Sequence, residues 1–194
     1  MSAGIDKMKM PRPHAVLTLQ SSEPLTQDKV LGRTIAGDPS GIAELYERHA
    51  ASLFRTAYRM LGSRADAEDV VHDLFVGLPE ALRRYEDRGR LDQWLTRIII
   101  RLSLMHLRNE RRRRSTPLMD MPQLAGTERS DARLELTELE QAVMALPTGL
   151  RAVFVLRQVE GYSYEEIAAL LDISVGASRV RLTRAIERLR RTLL

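Results

Sequence analysis

Apolar residues recur at three- and four-residue steps through most of residues 25–112 and again from 131 onward, the repeat of helices that bury one face. Val30, Leu31 and Ile35 predict a short first helix with Thr26 as its cap. Gly37, Asp38 and Pro39 break the pattern. Ser40 then opens a longer helix on Ile42, Leu45, His49, Leu53, Ala57 and Met60, closed by Gly62. Ser63, with Asp66 three residues on, opens the next, whose inward positions are Val70, Val71, Leu74, Phe75 and Leu78. Pro79 has no amide donor and predicts a kink or a restart before Leu82 and Tyr85. A charged loop, Glu86 to Arg90, leads to a long helix over about Asp92 to Arg112, with Trp94, Leu95, Ile98, Ile99, Leu102, Met105 and Leu107 as its wide apolar face.

Periodicity fails from Ser115 to Ser130, where Pro117, Pro122 and Gly126 fall, and this stretch reads as a linker. Its Leu118, Met119, Met121 and Leu124 make it stickier than a Gly/Ser spacer, as a segment lying along a partner would be. Helical spacing resumes near Asp131 with Leu134, Leu136, Leu139, Val143 and Leu146, then, past Pro147 and Thr148, with Leu150, Val153, Phe154, Leu156 and Val159 up to Gly161. The last segment carries the sharpest signal. Ser163 and Glu166 have capping-box spacing, and Ile167, Ala168, Leu170 and Leu171 make one apolar side. Asp172, Ile173 and Ser174 form a short break, and Ser174 caps a second helix whose Val175, Leu182, Ala185, Ile186 and Leu189 face inward. Arg179, Arg181, Arg184, Arg188 and Arg191 are left for the outside. Two helices, a three-residue turn and early arginines make a helix-turn-helix suited to a major groove, where arginine reads guanine and holds phosphates. The competing reading is an amphipathic helix with a solvated basic face.

The fold class is therefore all-α: two small helical domains, residues 25–114 and 131–194, joined by a linker at 115–130, with residues 1–24 as a mobile tail. Composition agrees: 44% of residues are apolar and only 5% aromatic, enough for a helical core. The formal charge of +4 hides a sharp asymmetry. Arg83–Arg114 holds eleven arginines against four acidic residues, whereas Ser63–Glu80 holds one arginine against five acidic residues. One surface for nucleic acid and another for a different partner would account for this. Arg97, Arg101 and Arg108 lie within about 40° of one another on a helix of about 3.6 residues per turn, a basic stripe. With no cysteine, disulfides and thiolate metal sites are excluded, which suits a reducing cytoplasm. No stretch approaches the roughly 18 apolar residues of a membrane span, so no membrane insertion is expected.

Two helical domains, a basic long helix in the first and a terminal helix-turn-helix resemble a bacterial RNA polymerase sigma factor of the extracytoplasmic-function class, which keeps only regions two and four. DAEDVVHDLF (Asp66–Phe75), WLTRIIIRLSLMHLR (Trp94–Arg108), ALPTGLRAVFVLRQVEGYSYEEIAALLDIS (Ala145–Ser174) and VGASRVRLTRA (Val175–Ala185) carry the likeness, in this order and spacing. The resemblance implies a transcription initiation factor that brings core polymerase to promoters. Residues 25–114 would be region two and 131–194 region four. Asp66, Glu68, Asp69 and Asp73 would dock on the polymerase clamp helices, carboxylates on successive turns making a ridge for a basic partner; the alternative is a solvated acidic helix start. Arg90, Arg97, Arg101 and Arg108 would hold the melted minus-ten strand. Arg179, Arg181, Arg184 and Arg188 would grip the minus-thirty-five duplex while region four sits on the polymerase flap and the linker threads the enzyme. An anti-sigma factor is a further expected partner. In the free chain the two domains would pack on that partner or on each other, hiding their basic faces.

The chain departs from the family pattern at four positions. Arg101 stands where the family usually has asparagine, and Met105 where a small polar or acidic residue is usual. An asparagine amide both donates and accepts, whereas arginine only donates. Ala177 and Ser178 replace threonine and valine at the start of the reading helix. Trp94, within the apolar series, reads as core rather than as a base-stacking platform.

No phosphate loop, nucleophile elbow or other catalytic pattern is present, and catalysis would belong to the polymerase. Glu68 and His72 stand one turn apart, but helical metal sites draw matching ligands from other helices, and His49 and His106 are the sole additions on offer. No metal, cofactor or enzymatic activity is expected. The rival function is a DNA-binding regulator whose first domain does something other than dock polymerase; a receiver domain would alternate strands and helices, and no strand pattern is visible.

Overall fold

A computed structural model of the chain describes residues 24–86, 90–114 and 137–194. Among these residues it contains eight α-helices and no strand: α1 (Pro24–Ile35), α2 (Pro39–Leu61), α3 (Arg64–Leu82), α4 (Leu91–Arg114), α5 (Glu138–Met144), α6 (Thr148–Phe154), α7 (Tyr164–Leu171) and α8 (Val175–Leu193). A π-helical turn, Val155–Val159, extends α6. The expected tail, linker, Leu134 and Leu136 lie outside the described residues.

Local chemistry sets most boundaries. Asp38, not Ser40, caps α2: its carboxylate accepts from the Ser40 amide at 2.8 Å, and Pro39 is the first helical residue. Proline suits that position because its missing N–H would have no helical partner there. Gly62 ends α2 in the left-handed region at φ 80° and donates to Tyr58 O. Ser63 caps α3 by accepting from the Asp66 amide. The expected restart at Pro79 does not occur. α3 continues to Leu82, with Leu78 and Leu82 buried, and that packing outweighs one lost backbone bond.

Helices α1–α4 pack together around Leu45, Met60, Leu78, Leu82, Leu95, Ile99 and Ile100, each at most 2% exposed. Each such side chain contributes about 1.5–3 kcal/mol by leaving water. The inward face of α4 is rotated from the expected one. Ile100, Leu104 and Leu107 join Leu95 and Ile99 inside, whereas Ile98 and Leu102 are half-buried and Met105 is exposed. With apolar residues at Ile98, Ile99 and Ile100 in succession, spacing alone leaves the phase open, and contact with α2 and α3 fixes it.

In the second half α8 is the hub, touching α5, α6 and α7. Thr137 and Glu140 form a capping box on α5, Ser163 and Glu166 another on α7. Asp172 closes α7 at φ 54°, and Ser174 caps α8 by accepting from the Ala177 amide at 3.0 Å. The predicted helix-turn-helix is thus built as read. Leu139 is half exposed rather than inward. The two halves meet where α2 touches α6, and their buried apolar residues join in one cluster.

Candidate polymerase and nucleic-acid interfaces

Helix α3 presents its carboxylates unequally. At about 100° per residue, Asp66, Asp69 and Asp73 fall within about 60° of one another, and Glu80 shares their face. Glu68 is turned about 100° from Asp69 and pairs with Arg64 at 2.7 Å. The ridge is therefore Asp66, Asp69, Asp73 and Glu80, with Val76, 67% exposed, at its edge. Asp69 and Asp73 are exposed, whereas Asp66 lies 3.3 Å from His106 Nε2 on α4. The other candidate metal ligand, His49, likewise turns to a carboxylate, donating from Nδ1 to Asp92 at 2.8 Å and holding that carboxyl below its ordinary value. Among the described residues no three such side chains converge on a metal position.

The basic stripe of α4 is intact: Arg97 and Arg101 are half-buried, Arg108 is exposed, and Arg90 is exposed just before the helix. Trp94 borders the stripe, half-buried with its ring 4.8 Å from Tyr85, so it packs at the core's edge. The stripe faces the second half of the chain. Arg108 Nη2 donates to Leu170 O at the end of α7. Arg97 lies near enough to Tyr162 to oppose the burial that pushes that phenol up to about 12, and its own Nε is buried without a hydrogen-bond partner.

The arginines of α8 occupy two flanks. Arg181, Arg184 and Arg188 fall within about 60° on one, while Arg179 is about 140° or more from each of them. Arg184, Arg188 and Arg191 line a cavity of about 330 Å³ with Glu187, Pro147 and Leu150. Arg179 sits with its guanidinium 5.3 Å from the Tyr164 ring and 3.8 Å from Glu165. Ser178 is fully buried, donating to Val175 O at 2.8 Å, so it packs the turn and is closed to DNA.

Two arginines escaped the sequence reading. Arg157 lies over the same Tyr164 ring at 4.8 Å and donates to Tyr162 O at 2.8 Å. Arg151, 3% exposed, donates from Nη1 to Met144 O at 2.7 Å and from Nη2 to Leu61 O at 2.8 Å, the last carbonyl of α2. Burial pulls its guanidinium down to about 10, so it stays charged at neutral pH. The one hint was a charge amid the apolar run of α6.

Residues 45–113 match the Sigma-70 region 2 family and residues 136–189 the Sigma-70, region 4 family. The extracytoplasmic-function RNA polymerase sigma-E factor of Escherichia coli is 31% identical over 179 residues, covering 86% of this chain and 93% of that protein. The chain belongs to the extracytoplasmic-function sigma factors. Region two comprises the acidic ridge and the basic stripe, region four the helix-turn-helix. Sigma factor SigE of Mycolicibacterium smegmatis is 34% identical over 154 residues, 76% of this chain and 59% of that longer relative. In fold the chain is similar to the sigma factor RpoE of Bartonella quintana, solved in complex with the anti-sigma factor NepR, at TM-score 0.50 and 22% identity, over 78% of this chain and 95% of that one. The family is one of transcription initiation factors that direct polymerase to promoters. None of the described helices is long and apolar enough to cross a membrane.

Proposed function

We propose that this chain binds core RNA polymerase through the α3 ridge and the polymerase flap through region four, reads a minus-thirty-five duplex with α8 and holds a melted minus-ten strand on α4. The observation that carries the reading is the pairing, in one chain, of an exposed acidic ridge with two separate arginine faces. Within region two the working residues are Asp66, Asp69 and Asp73 for core enzyme and Arg90, Arg97, Arg101 and Arg108 for the strand; Glu68 supports the ridge through Arg64. Within region four Arg181, Arg184 and Arg188 work from one flank and Arg179 from the other.

The domains run from 25 to 114 and from 131 to 194. The chain itself performs no catalysis; RNA synthesis belongs to the polymerase, in the cytoplasm. An anti-sigma factor is the regulatory partner, and the apolar cavity of about 440 Å³ between α2 and α5, flanked by the exposed Leu139 and Val159, is suited to its side chains.

Strand capture is tested with Arg101→Ala. The holoenzyme should form closed complexes as wild type does and lose permanganate reactivity in the melted element. Equal loss of closed and open complexes would remove the strand-capture role.

A further inference from the structure

The first half of α8 carries one exposed large apolar side chain. Val180 is 50% exposed, a turn and a half into a helix that opens at Val175. At about 100° per residue it stands between the two arginine flanks: Arg184, Arg188 and Arg181 lie about 40–100° to one side, and Arg179 about 100° to the other. Gly176, Ala177 and Thr183 fall within about 60° of Val180 and complete this face. Glu187 shares it but lies two turns further on, about 10 Å along the axis, among Arg184, Arg188 and Arg191.

The neighbours of Val180 bring little polar chemistry to this face. Thr183 donates its hydroxyl to Arg179 O at 3.2 Å, so its proton is used inside the helix. Gly176 has no side chain, and the fold does not demand a glycine there: a Cβ would find Ser174 Oγ at 3.9 Å and nothing nearer. Glycine weakens a helix relative to alanine. Its gain at this position lies outside the chain, where a bare backbone comes close to a neighbour.

The major groove of DNA is about 12 Å wide, and a helix with its side chains is about 10–12 Å across. A helix seated there reaches the two phosphate walls with its flanks and the base edges with the line between them. On α8 the flanks are guanidinium groups, and the line between them is Val180. A guanine, adenine or cytosine edge facing that valine would give up water for no hydrogen bond. Thymine presents its C5-methyl, the one apolar group in the groove, and packing it on the valine methyls removes apolar surface from water.

We infer that Val180 is a specificity-determining residue of the upstream duplex contact, packing on the C5-methyl of a thymine while the arginine flanks hold the phosphates on either side. This rests on the reading above in which α8 enters an upstream duplex.

Holoenzyme made from core polymerase and the full chain tests this on a promoter recovered by transcription of a genomic fragment library. Each thymine of the upstream element, on either strand, is replaced singly by deoxyuridine, which removes the methyl group and keeps the base pair. One replacement should weaken promoter binding about fourfold, the scale of one methyl group returned to water. In Val180→Ala, a change at an exposed position, the same replacement should leave binding unchanged. An element in which no thymine responds overturns the valine contact. A response of equal size in Val180→Ala overturns it too, since that response would come from DNA shape. Arg184→Ala with Arg188→Ala separates this from failure of the underlying reading. If that variant binds the promoter no better than one with a scrambled upstream element, α8 enters the duplex, and a silent uracil series refutes Val180 alone. If it prefers the intact element as strongly as wild type does, the reading of α8 fails and the thymine contact with it.

Discussion

Gly62→Ala tests the contact of Arg151 with the end of α2 without removing any polar group. The residue ends α2 at φ 80° and ψ 3°, where an L side chain costs about 1–2 kcal/mol. The new methyl would stand 2.4 Å from Nη2, 2.8 Å from Cζ and 2.9 Å from Nη1 of Arg151, inside any real contact distance. Arg151 must therefore withdraw from Leu61 O. A hydrogen bond from a charged donor is worth about 1.5–3 kcal/mol. The two effects together predict a loss of about 2.5–5 kcal/mol. In an Arg151→Met background the clash and the bond are already gone, so the same substitution should cost only about 1–2 kcal/mol. The coupling in a double-mutant cycle is then about 1.5–3 kcal/mol. Urea unfolding measures it, with Trp94, the chain's single tryptophan, reporting on region two and far-UV circular dichroism on the whole. An equal cost in both backgrounds would refute the packing of Arg151 on the end of α2.

Two further predictions follow from single sites. Asp69→Lys with Asp73→Lys places two positive charges on an exposed ridge, so core enzyme should be retained at least about tenfold less well in a pull-down while the unfolding midpoint barely moves; wild-type retention would leave these carboxylates as solvated surface. Burial raises the Glu160 carboxyl above its unfolded value near 4.5, with Arg59 and Thr56 acting against the shift. The stability linked to this group is thus fully present below that value and lost as pH rises through the folded pKa. Glu160→Gln should raise the Tm at about pH 8 and leave it nearly unchanged at about pH 4; the same gain at both would contradict a desolvated carboxylate.

What the sequence made legible was local chemistry. The Ser163–Glu166 capping box, the Ser174 cap and the Gly62 stop each depend on residues within four positions, and each is built as read. The helix-turn-helix and its arginine flank follow from those signals. The phase of α4 was not legible, because an unbroken Ile98–Ile100 offers several inward faces and only α2 and α3 choose among them. Pro79 reads as a breaker because the packing of Leu78 and Leu82 that carries the helix past it comes from other helices. The separation of Glu68 from the ridge and of Arg179 from Arg184 was hidden for another reason. Residue type and proximity in sequence stood in for helical angle, and at about 100° per residue both point elsewhere. Arg151 carried almost no signal, since its acceptor at the end of α2, Leu61 O, lies ninety residues away.

Transcription from a genomic fragment library by core polymerase plus this chain tests the central claim, that two basic helical faces on one chain address two promoter elements for an enzyme that binds its acidic ridge. The account predicts RNA starts clustered downstream of a shared pair of sequence elements. It also predicts that Arg184→Ala with Arg188→Ala, both exposed on one flank of α8, erases the upstream element from that consensus and leaves the downstream one. Starts no more clustered than those of core enzyme alone, with any bacterial core tried, would contradict it.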